Sequence, residues 1–255
     1  MADDLCERLV EKGGTVLLSK EVKRINVKNK KIESVFLDDK TVIASDFIVS
    51  NADSYLTFMT LIGPEHLSGE LVNNLQSMEI SQPSFSLYLG VNYQNLQDYE
   101  GCYFFENNVN KGIAVTISTK YDQTLAPAGK NCLVVSTSFP YEFDKVKDWA
   151  QCKNELELTT LSRLEQVIPG IKNSIEVKES ATPMTYYRYT LNKMGSSFGW
   201  SSIPSQFWTR RFSNKTPVKG LYLAGHWTQP GSGISSVVAS GRIAANLLLS
   251  ENKEK

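Results

Sequence analysis

The sequence lacks most of the side-chain clusters from which metal and hydrolytic sites are built. It has two histidines, His66 and His226, and no CxxC, HExxH, Walker loop or Ser-His-Asp arrangement. Metalloenzyme, kinase and hydrolase functions therefore have no support, and no metal site is expected. The four cysteines are far apart in the chain: Cys6, Cys102, Cys132 and Cys152. That spacing favours reduced, partly buried thiols and an intracellular location.

An excess of charge and a long apolar run are also missing. Lys+Arg and Asp+Glu both total 27, whereas a nucleic-acid-binding protein needs a basic face, so no nucleic-acid partner is expected. No run approaches the roughly 18 apolar residues of a membrane span. No secretory leader precedes Asp3 and Asp4. We expect a cytoplasmic protein, soluble or at most in peripheral contact with a membrane.

A complete dinucleotide fingerprint is absent too, although a part of one stands near the end of the chain. Residues 220–246 predict a buried strand, a glycine turn at Gly231 and Gly233, and a helix. Ser236 replaces the third glycine of GxGxxG. Unpaired N–H groups and peptide dipoles at a helix start still favour a phosphate or an electron-rich ring oxygen. A tight strand-to-helix turn without a ligand is the alternative.

This segment closely resembles the late flavin-contacting motif of the phytoene desaturase-like family of FAD-dependent oxidoreductases, an amine oxidase-like group that includes carotenoid desaturases and isomerases. Residues 181–200, with Arg188-Tyr189-Thr190 and Gly199-Trp200, resemble the family segment before the last strand. Residues 5–53 resemble the stretch that leads out of the FAD domain. One departure is Ile234-Ser235-Ser236, where the family usually has glycine and proline, and it leaves substrate and reaction direction open.

The resemblance implies the fold class and the domains. We expect an α+β or α/β chain with Rossmann-like, partial FAD-binding elements at both ends and a mixed sheet-and-helix substrate domain between them. Residues 1–53 and 217–255 are assigned to the FAD-binding domain, and residues 54–216 to the substrate domain. Neither end can bury its apolar faces alone, so the last strand and the strands of the first block should share one sheet. The glycine-rich βαβ unit is missing, as in a truncated C-terminal half.

Periodic apolar positions predict the elements of the first block. A helix stripe over residues 5–10 ends at Gly13-Gly14. Strands are expected over residues 15–27, 32–37 and 41–50. The last of them, with three consecutive apolar residues at positions 47–49, is predicted to be buried on both faces.

The middle block predicts helices and alternating strands. Helical apolar spacing extends over residues 56–75. Strict alternation over residues 84–91 and 113–117 predicts half-buried strands. A long helix begins near Trp149 and is stopped by Pro169-Gly170. Such a domain would offer a broad apolar wall to a hydrophobic substrate.

The site residues follow from the resemblance, which implies FAD as the cofactor. Those assigned to FAD are Val22, near the adenine, and Gly225, His226, Gly231, Gly233 and Ile234, around the flavin. A helix start aimed at the N1–C2=O edge would stabilise reduced flavin. For His226, positioning of the flavin is favoured over proton transfer, and a structural role stays open. His66 is expected to be a solvated helix-end residue.

Weaker assignments concern the substrate pocket and one helix glycine. Tyr187, Arg188 and Trp200 are assigned to the pocket, with a solvated arginine among sheet tyrosines as the alternative. Gly241 lies inside the last predicted helix, where glycine is destabilising by about 1 kcal/mol relative to alanine. Packing and closeness to the cofactor explain it equally well. No catalytic residue is assigned.

The implied function is that of the C-terminal portion of an FAD-dependent oxidoreductase. It would act on an apolar, carotenoid or polyene-like substrate by hydride or electron transfer with the flavin. Because the ADP half of FAD lacks its glycine turn, weak or absent FAD binding by this chain is expected. The expected partners are the apolar substrate and the missing N-terminal FAD-binding half. The alternative is a noncatalytic protein, derived from such an enzyme, that binds an apolar ligand or a partner.

Overall fold

The computed structural model describes residues 2–105 and 112–253. The helices are α1 (Ala2–Glu11), α2 (Gly69–Ser77), α3 (Trp149–Val167), α4 (Pro183–Thr190) and α5 (Ile234–Lys253). The strands are β1 (Val22–Lys28), β2 (Lys31–Leu37), β3 (Val42–Ala44), β4 (Ile48–Ser50), β5 (Ser84–Val91), β6 (Cys102–Phe105), β7 (Ile113–Ile117), β8 (Asn131–Ser138), β9 (Ile175–Ala181) and β10 (Leu221–Leu223). In this part of the chain no helix is long and apolar enough to cross a bilayer.

The two ends of the chain meet in one parallel pair of strands. Leu221 of β10 pairs with Ile48 of β4, and the register continues for two more residues on each strand. The expectation that the last strand shares a sheet with the strands of the first block is therefore confirmed for β4 and not for β1, β2 or β3. Strands β1, β2 and β3 form a separate antiparallel sheet, which meets the pair at a bridge between Lys31 and Lys219.

The first hydrophobic core lies between a five-stranded antiparallel sheet and α3. The strand order is β6-β7-β8-β5-β9. Alternate residues of the central strands, such as Leu87 and Val135, are fully buried and pack in one cluster with Leu156 and Leu164 of α3. Asp148 caps α3 by accepting the N–H groups of residues 150 and 151. The helix ends at Val167, just before Pro169-Gly170, as the sequence predicts, and Gly170 takes a left-handed conformation.

The second core lies beneath β10 and supports the segment after it. Leu221 and Leu223 pack there with the fully buried indoles of Trp200 and Trp227. The π-helical turn Leu56–Ile62 and α2 contribute Phe58 and Leu75 to the same cluster. Residues 56–77 were expected to belong with the middle block. Their apolar faces instead pack with β10, so residue 53 does not separate the two cores.

Three details of the first block differ from the sequence predictions. The first strand begins only at Val22, and residues 15–21 precede it outside any strand. The apolar stripe of α1 has no buried residue. Val49 of β4 is 45% exposed, not buried on both faces. The pattern of a buried parallel strand is present, but β4 pairs with only one strand within the described residues.

Helix α5 has one buried face and one exposed apolar face. Ser240 and Ala244 are fully buried against the strands. A second stripe of the helix, which we call the outer face of α5, is exposed and consists of Ile234, Val238, Gly241, Ala245 and Leu249. A Cβ atom on Gly241 would meet nothing within 4 Å. Packing within the described residues therefore does not explain this glycine.

Candidate functional site

The candidate site is the turn that leads from β10 into α5. Three of its residues, Gly225, Gly231 and Gly233, have φ between +96° and +124°, a region that favours glycine. A Cβ on Gly225 would stand 2.2 Å from Oδ1 of Asn51, the residue after β4. The turn can therefore enter from β10 only if position 225 carries no side chain.

A buried cation lies directly beneath the turn. Arg211 is 4% exposed, and a Cβ on Gly231 would stand 3.1 Å from its Nε. Its guanidinium donates to the carbonyl oxygens of His226, at 3.1 Å, and Trp200, at 2.7 Å. Across residues 2–105 and 112–253, Arg211 has no ion-pair partner, and burial lowers the pKa of its guanidinium. Sequence reasoning missed this residue, because arginines are usually exposed.

Gly233 and Ile234 form the start of α5 and face open space. The first helical hydrogen bond is donated by the N–H of Val237 to the carbonyl of Gly233 at 2.9 Å. The N–H groups before it are those that a helix start leaves without an intrahelical partner. Gly233 is exposed, and the nearest atom to a Cβ there would be 3.9 Å away. The positive end of α5 is thus accessible to an electron-rich ligand atom.

His226 is half-buried at the entry to the turn. Its Nε2 lies 3.5 Å from Nδ2 of Asn192, and its ring lies 5.6 Å from that of Trp227. Burial, followed by the charge of Arg211, lowers the pKa of His226 below its ordinary value. The ring is therefore neutral at pH 7. The other histidine, His66, lies in a short helix at residues 64–66.

Trp200 supports the turn from inside the core. It is fully buried, and its ring packs edge to face on Trp227 with centroids 5.0 Å apart. Its indole N–H donates to Ser54 Oγ at 3.1 Å. This placement is at odds with the predicted contact between Trp200 and a substrate. A tryptophan can equally line a pocket or fill a core, and the tertiary packing decided for the core.

Tyr187 and Arg188 lie on helix α4. The alternative of a solvated arginine among sheet tyrosines is therefore wrong about the sheet. Thr182 and Thr185 form a capping box, and Pro183 occupies the first turn, so this segment starts a helix. The ring centroids of Tyr187 and Phe143 are 5.9 Å apart, and the guanidinium carbon of Arg188 lies 5.8 Å from the ring centroid of Tyr189. Both side chains are exposed. Their assignment to a substrate pocket stays a prediction.

Val22 lies at the start of β1, in the antiparallel sheet and not in the β4–β10 pair. It is half-buried and packs against the second core. Its assigned position near the adenine of FAD stays a prediction.

Two buried polar residues that sequence reasoning did not assign to the site hold the turn in place. Asn214 donates through Nδ2 to the carbonyl of Leu223, at 3.0 Å, and to Ser240 Oγ, at 2.9 Å. Ser240 Oγ in turn accepts the N–H of Gly225 at 3.1 Å. These bonds join β10, the turn and α5. In the sequence, Asn214 looks like an ordinary loop residue and Ser240 like an ordinary helix residue, so neither carries a signal of this role.

A buried carboxyl group lies at the end of the segment that follows β4. Asp53 is 1% exposed and accepts the backbone N–H groups of Tyr55, at 2.6 Å, and Lys193, at 2.7 Å. Burial raises the pKa of Asp53 to about 6. The contact with Lys193 ties the end of β4 to the loop that carries Asn192. In the sequence, Asp53 is only the last residue of the first range assigned to the FAD-binding domain.

The residues of the turn fit the pyrimidine edge of a flavin. Gly233 leaves the start of α5 without a side chain that would hold a ring away, and this start supplies N–H donors. The guanidinium of Arg211 adds a positive charge that no carboxylate neutralises within the described residues. In the same part of the chain, no cluster of three or more metal-ligating side chains occurs.

Comparison with known proteins now decides the family. Residues 1–249 match the model of the flavin containing amine oxidoreductases. The chain belongs to this family. The resemblance to the phytoene desaturase-like group is confirmed as well, since curated desaturases and isomerases match nearly the whole chain.

Two of these relatives show how much of the protein is shared. The chain is 32% identical over 270 residues to the chloroplastic prolycopene isomerase of Daucus carota, covering 98% of this chain and 44% of that protein. It is 28% identical over 257 residues to the lycopene-forming phytoene desaturase of Pantoea ananas, covering 94% and 52%. The chain thus spans about half the length of the curated relatives it matches.

Solved structures of two further proteins share the fold. An oxidoreductase from Methanosarcina mazei superposes with a TM-score of 0.67 at 19% identity, over 96% of this chain and 53% of that one. Cyclohexylamine oxidase from Brevibacterium oxydans gives 0.67 at 13% identity, over 93% and 49%. The mixed helix-and-sheet fold of this flavoprotein family is therefore established for the chain.

Proposed function

We propose that the chain is the C-terminal portion of an FAD-dependent oxidoreductase acting on an apolar, polyene-like substrate. The glycine turn at Gly231 and Gly233 is the observation that carries this proposal, because it leaves the start of α5 open above a buried cation. Bound FAD would supply hydride or electron transfer. The family supports the cofactor, and the named relatives support the class of substrate.

The chain's own residues would bind and orient the cofactor. The free N–H groups at the start of α5 would hold an electron-rich ring edge, and Arg211 would strengthen the positive potential there. Gly231 lets the turn lie directly on Arg211, and Gly233 leaves open space in front of the N–H donors. His226, at the entry to the turn, would position the cofactor, which agrees with its low pKa. None of these roles requires a side-chain acid.

Exposed aromatic rings near the turn support an apolar substrate. Tyr189 and Phe198 are 78% and 60% exposed, and they lie on the segment that carries Asn192. Phe198 precedes Gly199, where a Cβ would stand 2.7 Å from Cδ2 of His226. A surface of this composition beside the turn suits a hydrophobic molecule better than a charged one.

The outer face of α5 and the free edge of β4 are proposed to receive the other half of the FAD-binding domain. A parallel pair of strands is rarely stable alone, since parallel sheets are usually covered on both faces. Gly241 and Ala245 lie in the middle of the outer face, where small residues permit close approach. About half of each relative's length has no counterpart in this chain, which supplies a segment of suitable size.

The test is to express this chain alone and, in parallel, joined to whatever coding sequence precedes its Met1 codon. Flavin absorbance is then measured on both purified proteins. We expect little or no FAD on the 255-residue chain and stoichiometric FAD on the longer form. Stoichiometric yellow flavin on the chain alone would refute the proposed division of FAD binding. Flavin on neither form would argue against the oxidoreductase itself.

A further inference from the structure

The orientation of the Asn192 side chain is fixed by a neighbour that can only donate. Asn192 is 7% exposed, and the indole N–H of Trp227 points at its amide at 3.0 Å. An indole nitrogen has no acceptor capacity, so the amide atom facing it must be the carbonyl oxygen Oδ1. The amide nitrogen Nδ2 therefore lies on the other side, where it donates to the carbonyl of Ser196 at 3.2 Å.

The same amide nitrogen faces the ring of His226. Nδ2 of Asn192 and Nε2 of His226 are 3.5 Å apart. Since Nδ2 carries only donors, Nε2 can form this bond only with a free lone pair. A proton on Nε2 would place two N–H groups against each other. The neutral ring must then carry its proton on Nδ1.

The other ring nitrogen is free to meet a ligand. Over residues 2–105 and 112–253, no fully buried side-chain nitrogen or oxygen lacks a hydrogen-bond partner. The side-chain hydrogen bond of His226 uses Nε2, so Nδ1 has to reach solvent. The ring is also confined, because a Cβ on Gly199 would stand 2.7 Å from its Cδ2. His226 therefore presents one fixed N–H group to the outside.

The charges around His226 oppose a second proton. Arg211 donates to the main-chain carbonyl of His226 and has no carboxylate partner in this part of the chain. Asp53 and Lys193 are the sequence neighbours of Ser54 and Asn192. The Ser54 side chain bonds the Trp227 carbonyl, and the Asn192 side chain bonds the Trp227 indole. Asp53 is itself bonded to the N–H of Lys193, and the Lys193 ammonium lies 3.9 Å from the ring of Tyr55. Arg211 is thus the charge in direct contact with His226.

We propose that Asn192 and Arg211 are positioning residues that hold His226 as the neutral imidazole with its proton on Nδ1. In this form His226 offers a single hydrogen-bond donor, and no base, to an acceptor-rich ligand at the glycine turn. The fixed tautomer depends on contacts within the chain alone. That the acceptor belongs to a flavin rests on the proposed function.

The direct test is the ¹⁵N NMR spectrum of the imidazole rings in the 255-residue chain. With two histidines in the chain, His66→Gln assigns both sets of signals. We expect the Nδ1 signal of His226 at the shift of a protonated nitrogen and the Nε2 signal at that of a bare one, from neutral pH down to below pH 6.5. A dominant Nε2–H tautomer, or a charged ring at pH 7, would overturn the proposal without any variant.

Two substitutions separate positioning from simple packing. Asn192→Asp keeps the shape but offers an acceptor, so the His226 proton should move to Nε2 and the pKa of His226 should rise by about 1 or more. Arg211→Met should raise the pKa of His226, whereas Arg211→Lys, which keeps the charge, should change it little. Asn154→Asp, on the exposed side of α3, is the control and should leave both readouts unchanged.

The result for Asn192→Asp is decisive if the near-ultraviolet spectrum shows native tryptophan packing. An unchanged tautomer in that folded variant would contradict the role of Asn192. The longer, flavin-loaded form gives the separate test of the ligand. A shift of the His226 Nδ1 signal relative to the 255-residue chain is expected there, and its absence, with the tautomer as stated, would count against the proposed flavin site and not against the fixed tautomer.

Discussion

Asn51 and Gly225 follow the two strands that join the ends of the chain, and they meet so closely that no side chain fits between them. A Cβ on Gly225 would stand 2.2 Å from Oδ1 of Asn51. Gly225 also has φ of +96°, and its N–H is bonded to Ser240. The geometry of the candidate site therefore begins with this contact.

Gly225→Ala should lower the free energy of unfolding by about 2 to 4 kcal/mol, because it adds backbone strain to a steric clash. Gly129→Ala, with φ of +78° and open space, should show the strain alone, about 1 kcal/mol. Gly241→Ala, in the exposed middle of α5, should stabilise the chain by up to about 1 kcal/mol. Urea denaturation measures all three. Equal effects at positions 225 and 129 would contradict the close contact.

Asn214→Asp should destabilise the protein by about 2 to 3 kcal/mol. The substitution keeps the shape but removes the N–H donors that bond the Leu223 carbonyl and Ser240, and it buries a carboxyl group. Hydrogen exchange should become faster in α5 before it does in α3, since α5 loses its link to β10. The same change at the exposed Asn154 serves as the control, with an expected effect below about 0.5 kcal/mol.

The raised pKa of Asp53 predicts how stability depends on pH. Its pKa is about 6 in the folded protein and 3.8 in its ordinary state, so the folded state binds more protons between these values. The contribution of this group is fully present below about pH 4 and is lost as pH rises to about 6, a change of about 3 kcal/mol. Asp53→Asn should remove this dependence.

The measurement for Asp53 is the difference in unfolding free energy between wild type and Asp53→Asn from pH 4 to pH 7. The lost hydrogen bond to one backbone N–H adds a cost that does not vary with pH. Taking the difference cancels the pH-dependent contributions of other carboxylates to the free energy of unfolding. Glu157 is one of them, and its lowered pKa makes its contribution grow as pH rises. A difference that stays flat across this range would show that Asp53 ionises normally.

Gly233→Val should abolish flavin binding at the turn in the longer, flavin-loaded form while the chain stays folded. Position 233 is exposed and has room for a Cβ, so the damage comes from φ of +103° and from a side chain in front of the N–H donors. Gly129→Val is the matched control. Flavin content and single-turnover flavin reduction are the readouts, and normal reduction by Gly233→Val would remove the turn from the site.

His226→Ala in the same form should lower flavin affinity more than the rate of flavin reduction. The ring is placed to donate one hydrogen bond and has a low pKa, which suits positioning. The dissociation constant for FAD and the reduction rate at saturating FAD separate the two effects. A variant with full flavin and no reduction would assign proton transfer to His226 instead.

Val238→Asp tests the outer face of α5 as the contact with the rest of the FAD-binding domain. The side chain is 62% exposed, so the isolated chain should keep its stability within about 0.5 kcal/mol. Flavin retention by the longer form should fall, because a carboxylate would be buried in the domain. Leu158→Asp, at a residue 71% exposed on α3, should leave flavin retention unchanged. Equal losses from both variants would argue against a specific face.

The sequence by itself determined the local elements and the glycine turn. Strict alternation over residues 84–91 predicted β5 because a pleated strand turns every second side chain inward. Pro169-Gly170 predicted the end of α3, and glycines at 231 and 233 predicted a turn, where the structure has positive φ at both. In each case the cause lies within a few residues of the effect, so spacing and residue type were sufficient.

The tertiary structure alone decided which polar groups meet at the site. Arg211 is an ordinary basic residue in the sequence, and only the packing of Trp200 and the turn around it buries its charge. The orientation of Asn192 depends on Trp227, which lies far along the chain. Such contacts join groups that are far apart in the sequence and meet only when the chain folds. The spacing of apolar residues predicts helices and strands, but it carries no information about the direction of a hydrogen bond.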